Sequence, residues 1–184
     1  GLLLYMFIDP EYYNLDDIDN MTIFLAAVIV APIVEEFVKP FVMFRNVNIR
    51  KEMNEVEDGI VYGAACGLGF GAKENIQYGL FGYQEIGLWG ILFVVFLRTF
   101  SSILMHLVTT SFTGYGIAKY RVEGHSFSVV VKYYLLAVLI HSAWNAVGIY
   151  AFNSFEYGIG TLVTWLASII IAILGFEMAK RRIR

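Results

Sequence analysis

Five apolar runs divide the chain, at about 21–44, 59–82, 87–118, 128–152 and 158–179. Each is long enough to cross a bilayer core as a helix, which takes about 20 residues. The pattern predicts an all-α, polytopic transmembrane bundle of about five helices, one membrane domain over residues 1–184. The third run is overlong for a straight crossing and is expected to tilt or to project beyond the bilayer. The chain opens on Gly1-Leu2-Leu3-Leu4-Tyr5-Met6-Phe7-Ile8, which reads as the end of a helix. One or more N-terminal helices are therefore expected to precede it.

Composition agrees with a lipid-embedded chain. Hydrophobic residues make up 58% and charged residues only 16%, against roughly 25% charged in soluble domains. The mean hydropathy is +0.64. The single cysteine, Cys66, has no partner for a disulfide or a thiolate metal site, and it is expected to be buried and inert. The charges are segregated. Arg45, Arg50, Lys51, Lys119, Arg121, Lys132, Lys180, Arg181, Arg182 and Arg184 fall on one face of the expected topology. The other face carries Asp9, Glu11, Asp16, Asp17, Asp19, Glu85 and Glu156. The positive-inside rule makes the basic face and the C-terminus cytoplasmic. The expected partners are the lipid bilayer and a protein within it, and no nucleic acid.

The polar residues inside the apolar runs carry the candidate chemistry, because a charge at the bilayer centre costs several kcal/mol unless it faces a partner or water. The first run holds Glu35, Glu36 and Lys39 between Pro32 and Pro40. Lys39 lies within helical reach of both glutamates yet neutralises only one. Pro40 cannot donate to the carbonyl of Glu36, and in an α-helix Pro32 frees that of Val28. The second run offers Lys73, Glu74 and Asn75, with Glu74 expected to face the core. It also carries Gly59, Gly63, Gly67 and Gly71, four residues apart, a ridge suited to close helix packing. The third run places Arg98, Ser102 and His106 on one face at steps of four. The fourth holds His141, Trp144 and Asn145, with His141 and Asn145 one turn apart.

At 1.5 Å per residue, Glu35, Glu74, His106 and His141 lie about 14, 22, 18 and 20 Å from the cytoplasmic ends of their helices. Four helices thus bring ionisable groups to one level. Glutamates and histidines in a low dielectric can activate water, since a carboxylate crowded by another titrates nearer neutrality. Histidine or asparagine can then steady an oxyanion. Glu35, Glu74, His106 and His141 can equally hold a divalent metal such as zinc. Both chemistries remain open at this point. A His-Glu-x-x-His zinc motif and a Gly-x-Ser-Gly context are absent, and every aspartate lies outside the apolar runs.

Taken in order, Glu35-Glu36-x-x-Lys39, Phe70-x-x-x-Glu74-Asn75, His106 and His141-x-x-Trp144-Asn145 resemble the PrsW family of intramembrane proteases, as does the stretch from Glu57 to Ala64. The resemblance covers about residues 31–146. The related CAAX-protease and bacteriocin-processing superfamily places a histidine where Glu74 stands, a departure that favours PrsW over the prenyl-protein proteases. The resemblance implies a prokaryotic cell-membrane peptidase that cuts a membrane-anchored regulatory protein, with anti-sigma factors as the substrate class. The residues themselves suggest that Glu35 activates water, with Glu36 supporting it and paired to Lys39. Glu74 and His106 would complete a base or a metal site, and His141 and Asn145 would hold the oxyanion. Lys39, Asn75, Arg98 and Trp144 are supporting residues. A CAAX-type prenyl-protein protease and a proton- or cation-coupled transporter are the alternatives.

Overall fold

A computed structural model describes residues 20–154 and 157–182. The N-terminal acidic stretch Asp9–Asp19, Glu156 and Arg184 lie outside the described residues, as does the opening run Gly1–Ile8. Among the described residues every regular element is helical.

The first apolar run is not one helix. It divides into α1 (Asn20–Leu25), a π-helical turn (Ala26–Val30), α2 (Ala31–Val38) and α3 (Phe41–Arg45). Its prolines explain the divisions. Pro32 lies in the first turn of α2 and brings no N–H to the turn before it. Pro40 interrupts the ladder after Lys39, whose N–H still reaches the Glu35 carbonyl at 2.9 Å. Asn46 then leaves the helical region, and its side chain accepts the N–H groups of Asn48 and Ile49 to start α4 (Val47–Glu52). A reciprocal cap between Glu55 and Asp58 opens α5 (Val56–Ile86).

Gly87, at φ 66°, reverses the chain between α5 and α6 (Leu88–Thr99). The third apolar run also breaks, where an overlong continuous helix was expected. Its second part is α7 (Ser102–Arg121). Around the break, Thr99 Oγ1 donates to the Val95 carbonyl and Ser101 Oγ to the Leu97 carbonyl. Such back-bonds compete with the helical ladder and bend it. The last helices are α8 (Ser128–Ser154) and α9 (Tyr157–Arg182).

Helix α7 is the centre of the bundle. It packs against α5, α8 and α9, while α6 returns along α5 and α2 lies against α8. The glycine ridge of α5 makes a tight seam with α7. A Cβ at Gly59 would meet the Gly114 carbonyl, and one at Gly63 would stand 2.5 Å from the Thr110 carbonyl. At Gly67 it would strike the carbonyl of His106. Backbone therefore rests on backbone along this face. At the basic end, Met43 and Met53 pack with Ile117, Ala118 and Val130. Cys66 is half-buried against that cluster rather than fully enclosed.

The outer surface is apolar. Ile76, Leu92, Phe96, Leu139, Ile170 and Leu174 are each more than half exposed, a surface that suits hydrocarbon far better than water. Two segments, Leu88–Arg121 and Ser128–Ala151, are long and apolar enough to cross a membrane, and Leu162–Gly175 is a shorter apolar stretch.

The ridge yields a paired expectation. Gly67→Ala should destabilise the bundle by about 1–3 kcal/mol through overpacking. Gly69→Ala, with open space around its Cβ, should be neutral or stabilising. Melting temperatures of the two variants in detergent micelles check the difference.

Candidate active site

Glu36 is fully buried, and its carboxylate is filled by donors from three helices. Lys39 Nζ, one turn along, donates to Oε1 at 2.8 Å. From α7, Thr109 donates to Oε1 at 2.9 Å and Thr110 to Oε2 at 3.2 Å. From α8, His141 Nδ1 donates to Oε1 at 2.9 Å. That last bond fixes the tautomer, so the lone pair of His141 lies on Nε2. The Nε2 atom stands 3.8 Å from Oε2 of Glu35.

His106 is held on both nitrogens. Lys39 Nζ lies 2.7 Å from Nδ1. A charged ammonium has no acceptor, so Nδ1 accepts its hydrogen bond and Nε2–H donates to Glu74 Oε2 at 2.9 Å. The rings of Phe70 and His141 each pack edge-on against the imidazole. Glu74 has a second partner in Arg98, whose Nη2 donates to the same oxygen at 3.0 Å. Arg98 also donates to Asn75 Oδ1 and to Ser102 Oγ, and it stacks on the Tyr78 ring at 3.8 Å.

Three carboxylates thus meet two cations. Lys39 answers Glu36 and Arg98 answers Glu74, which leaves Glu35 in surplus. Lys39 stands 3.4 Å from Glu35 Oε2, yet that oxygen is buried and accepts no hydrogen bond. Glu35 borders a small polar cavity of about 50 Å³, lined also by Glu74, Arg98, His106, His141 and Asn145. A water needs roughly 10–15 Å³ of such space, so the cavity suits a water or an ion rather than a peptide.

The donor set fits a divalent cation. One ligand atom each from Glu35, His106 and His141 lie within 4.8 Å of one another, and all three residues are buried. Glu35 contributes an orphaned oxygen, and His141 a free lone pair backed by a carboxylate on its other nitrogen. For His106 to join, Lys39 or Glu74 has to release one of its nitrogens. Glu74 lies outside this trio, although it was a candidate ligand from the sequence.

The structure therefore brings Glu35, Glu36, Lys39, Glu74, His106 and His141 into one cluster. Asn75 and Arg98 form a layer behind Glu74. Asn145 borders the cavity, but its Nδ2 donates to the carbonyl of Ala27 at 2.7 Å. The indole N–H of Trp144 turns to Ser168 on α9. Sequence reasoning missed Thr109 and Thr110. Their signal was present, since the stripe Arg98, Ser102, His106 continues at the same step to Thr110.

The chain has relatives among known proteins. Protease PrsW of Geobacillus kaustophilus (strain HTA426) is 32% identical over 115 residues, 62% of this chain and 48% of that protein. Protease PrsW of Oceanobacillus iheyensis is 27% identical over 172 residues, 93% of this chain and 74% of that protein. Protease PrsW of Clostridioides difficile (strain 630) is 33% identical over 112 residues, 61% of this chain and 45% of that protein. The match thus spans about half the length of the first and third of these relatives. No solved structure matches the chain. The model of the family described as PrsW family intramembrane metalloprotease matches residues 11–174. That range includes the glutamate pair and both cluster histidines, and the chain belongs to the PrsW family.

Proposed function

We propose that this chain is an intramembrane peptidase that hydrolyses a peptide bond of a membrane-anchored protein, with regulatory proteins of the anti-sigma class as substrates. It is read as one membrane domain of about five crossings, with its C-terminus in the cytoplasm. The observation that carries the reading is the buried oxygen of Glu35 that accepts no hydrogen bond, beside His106 and His141, in a residue that borders a cavity sized for water.

Glu35 is assigned to the attacking water. Its carboxylate takes a proton as the water oxygen adds to the scissile carbonyl carbon. It returns that proton to the departing amine nitrogen when the C–N bond breaks. Glu36 cannot share this work, because four donors occupy it. Its role is to orient His141 and to anchor Lys39. Glu74 orients His106, and Arg98 offsets the charge of Glu74.

Glu35, His106 and His141 would hold a divalent cation such as zinc, which when bound polarises a carbonyl and acidifies a water. A second reading dispenses with metal, and one contact favours it: Lys39 already places a positive charge among Glu35, Glu36 and His106. Both readings require Glu35.

The two glutamates should separate experimentally. Glu35→Gln should lower cleavage of a single-span reporter protein in liposomes by at least about a hundredfold, with little change in melting temperature. Full activity in that variant would sink the assignment. Glu36→Gln should instead cost about 3–5 kcal/mol of stability, as removing one partner of a buried ion pair does, and thermal unfolding in micelles reads it. The metal question turns on elemental analysis of the purified protein. A divalent metal bound one per chain, lost on chelation together with cleavage, is expected for the metal reading. Undiminished cleavage by metal-free protein excludes it.

A further inference from the structure

The carbonyl of Ala27 has lost its own helical donor. In the π-turn the N–H of Ala31 reaches back five residues to Ala26. In that register the donor due to Ala27 is residue 32, which is proline. An α-helical register would leave the carbonyl of Val28 without a donor, and the π-turn register leaves that of Ala27 without one. A half-buried carbonyl without a partner is destabilising, and here the partner comes from another helix. Asn145 Nδ2, on α8 one turn beyond His141, donates to Ala27 at 2.7 Å.

The bond has geometric leverage. A π-turn inserts one residue and so rotates the helix on its N-terminal side by about 100° relative to the helix on its C-terminal side. Ala27, Ala31 and Glu35 all border the polar cavity, so the turn decides how this face meets α8. Tyr134, also on α8, donates to the Ile33 carbonyl at 2.8 Å. Helix α8 thus grips the backbone of the glutamate-bearing segment at two points, while His141 grips Glu36.

We propose that Asn145 is a positioning residue. It acts through the Ala27 carbonyl to hold the proline-made π-turn, and thereby sets the aim of the Glu35 carboxylate. This rests on the reading that Glu35 performs the chemistry. It differs from the direct role in which the amide faces the oxyanion of the substrate, because it ties the need for Asn145 to the presence of Pro32.

A double-mutant cycle tests the tie. Asn145→Ala and the nearly isosteric Asn145→Leu remove the donor, and Pro32→Ala returns an N–H at position 32. The full chain is reconstituted with the single-span reporter, and kcat and KM are read for each variant. In the Pro32 background, loss of the donor should lower kcat about tenfold with KM changed less than about twofold. In the Pro32→Ala background the same changes should cost about threefold or less. Melting temperatures in micelles should show the same coupling without relying on cleavage. Equal losses in both backgrounds would overturn the proposal in favour of an amide that acts on the substrate. An unimpaired Asn145→Leu would overturn it as well, and that single variant decides the matter if Pro32→Ala does not fold. A chain that cuts nothing, yet shows the coupling in melting temperature, overturns the peptidase reading and supports the Asn145–Ala27 clamp.

Discussion

A carboxylate shut away from water keeps its charge only where donors replace the lost hydration. Glu36 meets that requirement with four donors, and the rest of the cluster follows from it. Lys39 is drawn inward to one oxygen of Glu36 and there reaches His106. His141 must present its Nδ1–H to Glu36, which turns its other nitrogen toward Glu35. Thr109 and Thr110 bring α7 to the same point. One residue therefore orders three helices, and its neighbour in sequence is left with an oxygen to spare.

The second charge centre repeats the logic at the other side of the cavity. Glu74 is spanned by Arg98 and His106, and Asn75 and Ser102 hold the guanidinium in place. His106 links the two centres, since one nitrogen faces Lys39 and the other Glu74. Its tautomer is set by whichever neighbour cannot accept a proton, and that neighbour is the ammonium. Balanced charge at both centres leaves the Glu35 carboxyl to share Lys39 with Glu36.

Much of this was readable from the sequence, for physical reasons. Ionisable residues in apolar runs are few, so Glu35, Glu36, Glu74, His106 and His141 stood out, and helical rise placed them at one depth. The glycine spacing announced a backbone seam. What the sequence concealed was local geometry. Proline positions said that the first run was weakened, but only the hydrogen-bond register reveals that the carbonyl of Ala27 is free to accept from Asn145. The break at Phe100 and Ser101 depends on hydroxyl back-bonds that serine and threonine make in some helices and not in others. Thr109 and Thr110 were passed over because hydroxyls are common in apolar helices and carry no charge to betray them. Asn145 was visible as a polar residue in the right place, but its partner was a main-chain atom, which no sequence pattern advertises.

The glycine ridge has a mechanical consequence. Where α5 meets α7, main-chain atoms come together at Gly59, Gly63 and Gly67, so the seam acts as a weld that fixes Glu74 and His106 relative to each other. The segment that carries Glu35 and Glu36 has no such seam. It is joined to its neighbours by individual side-chain bonds, from Tyr134, His141 and Asn145 on one side and from Thr109 and Thr110 on the other. Bonds of that kind can be exchanged one at a time. The bundle is thus stiff on the wall that holds one imidazole and held by separable latches on the wall that holds Glu35.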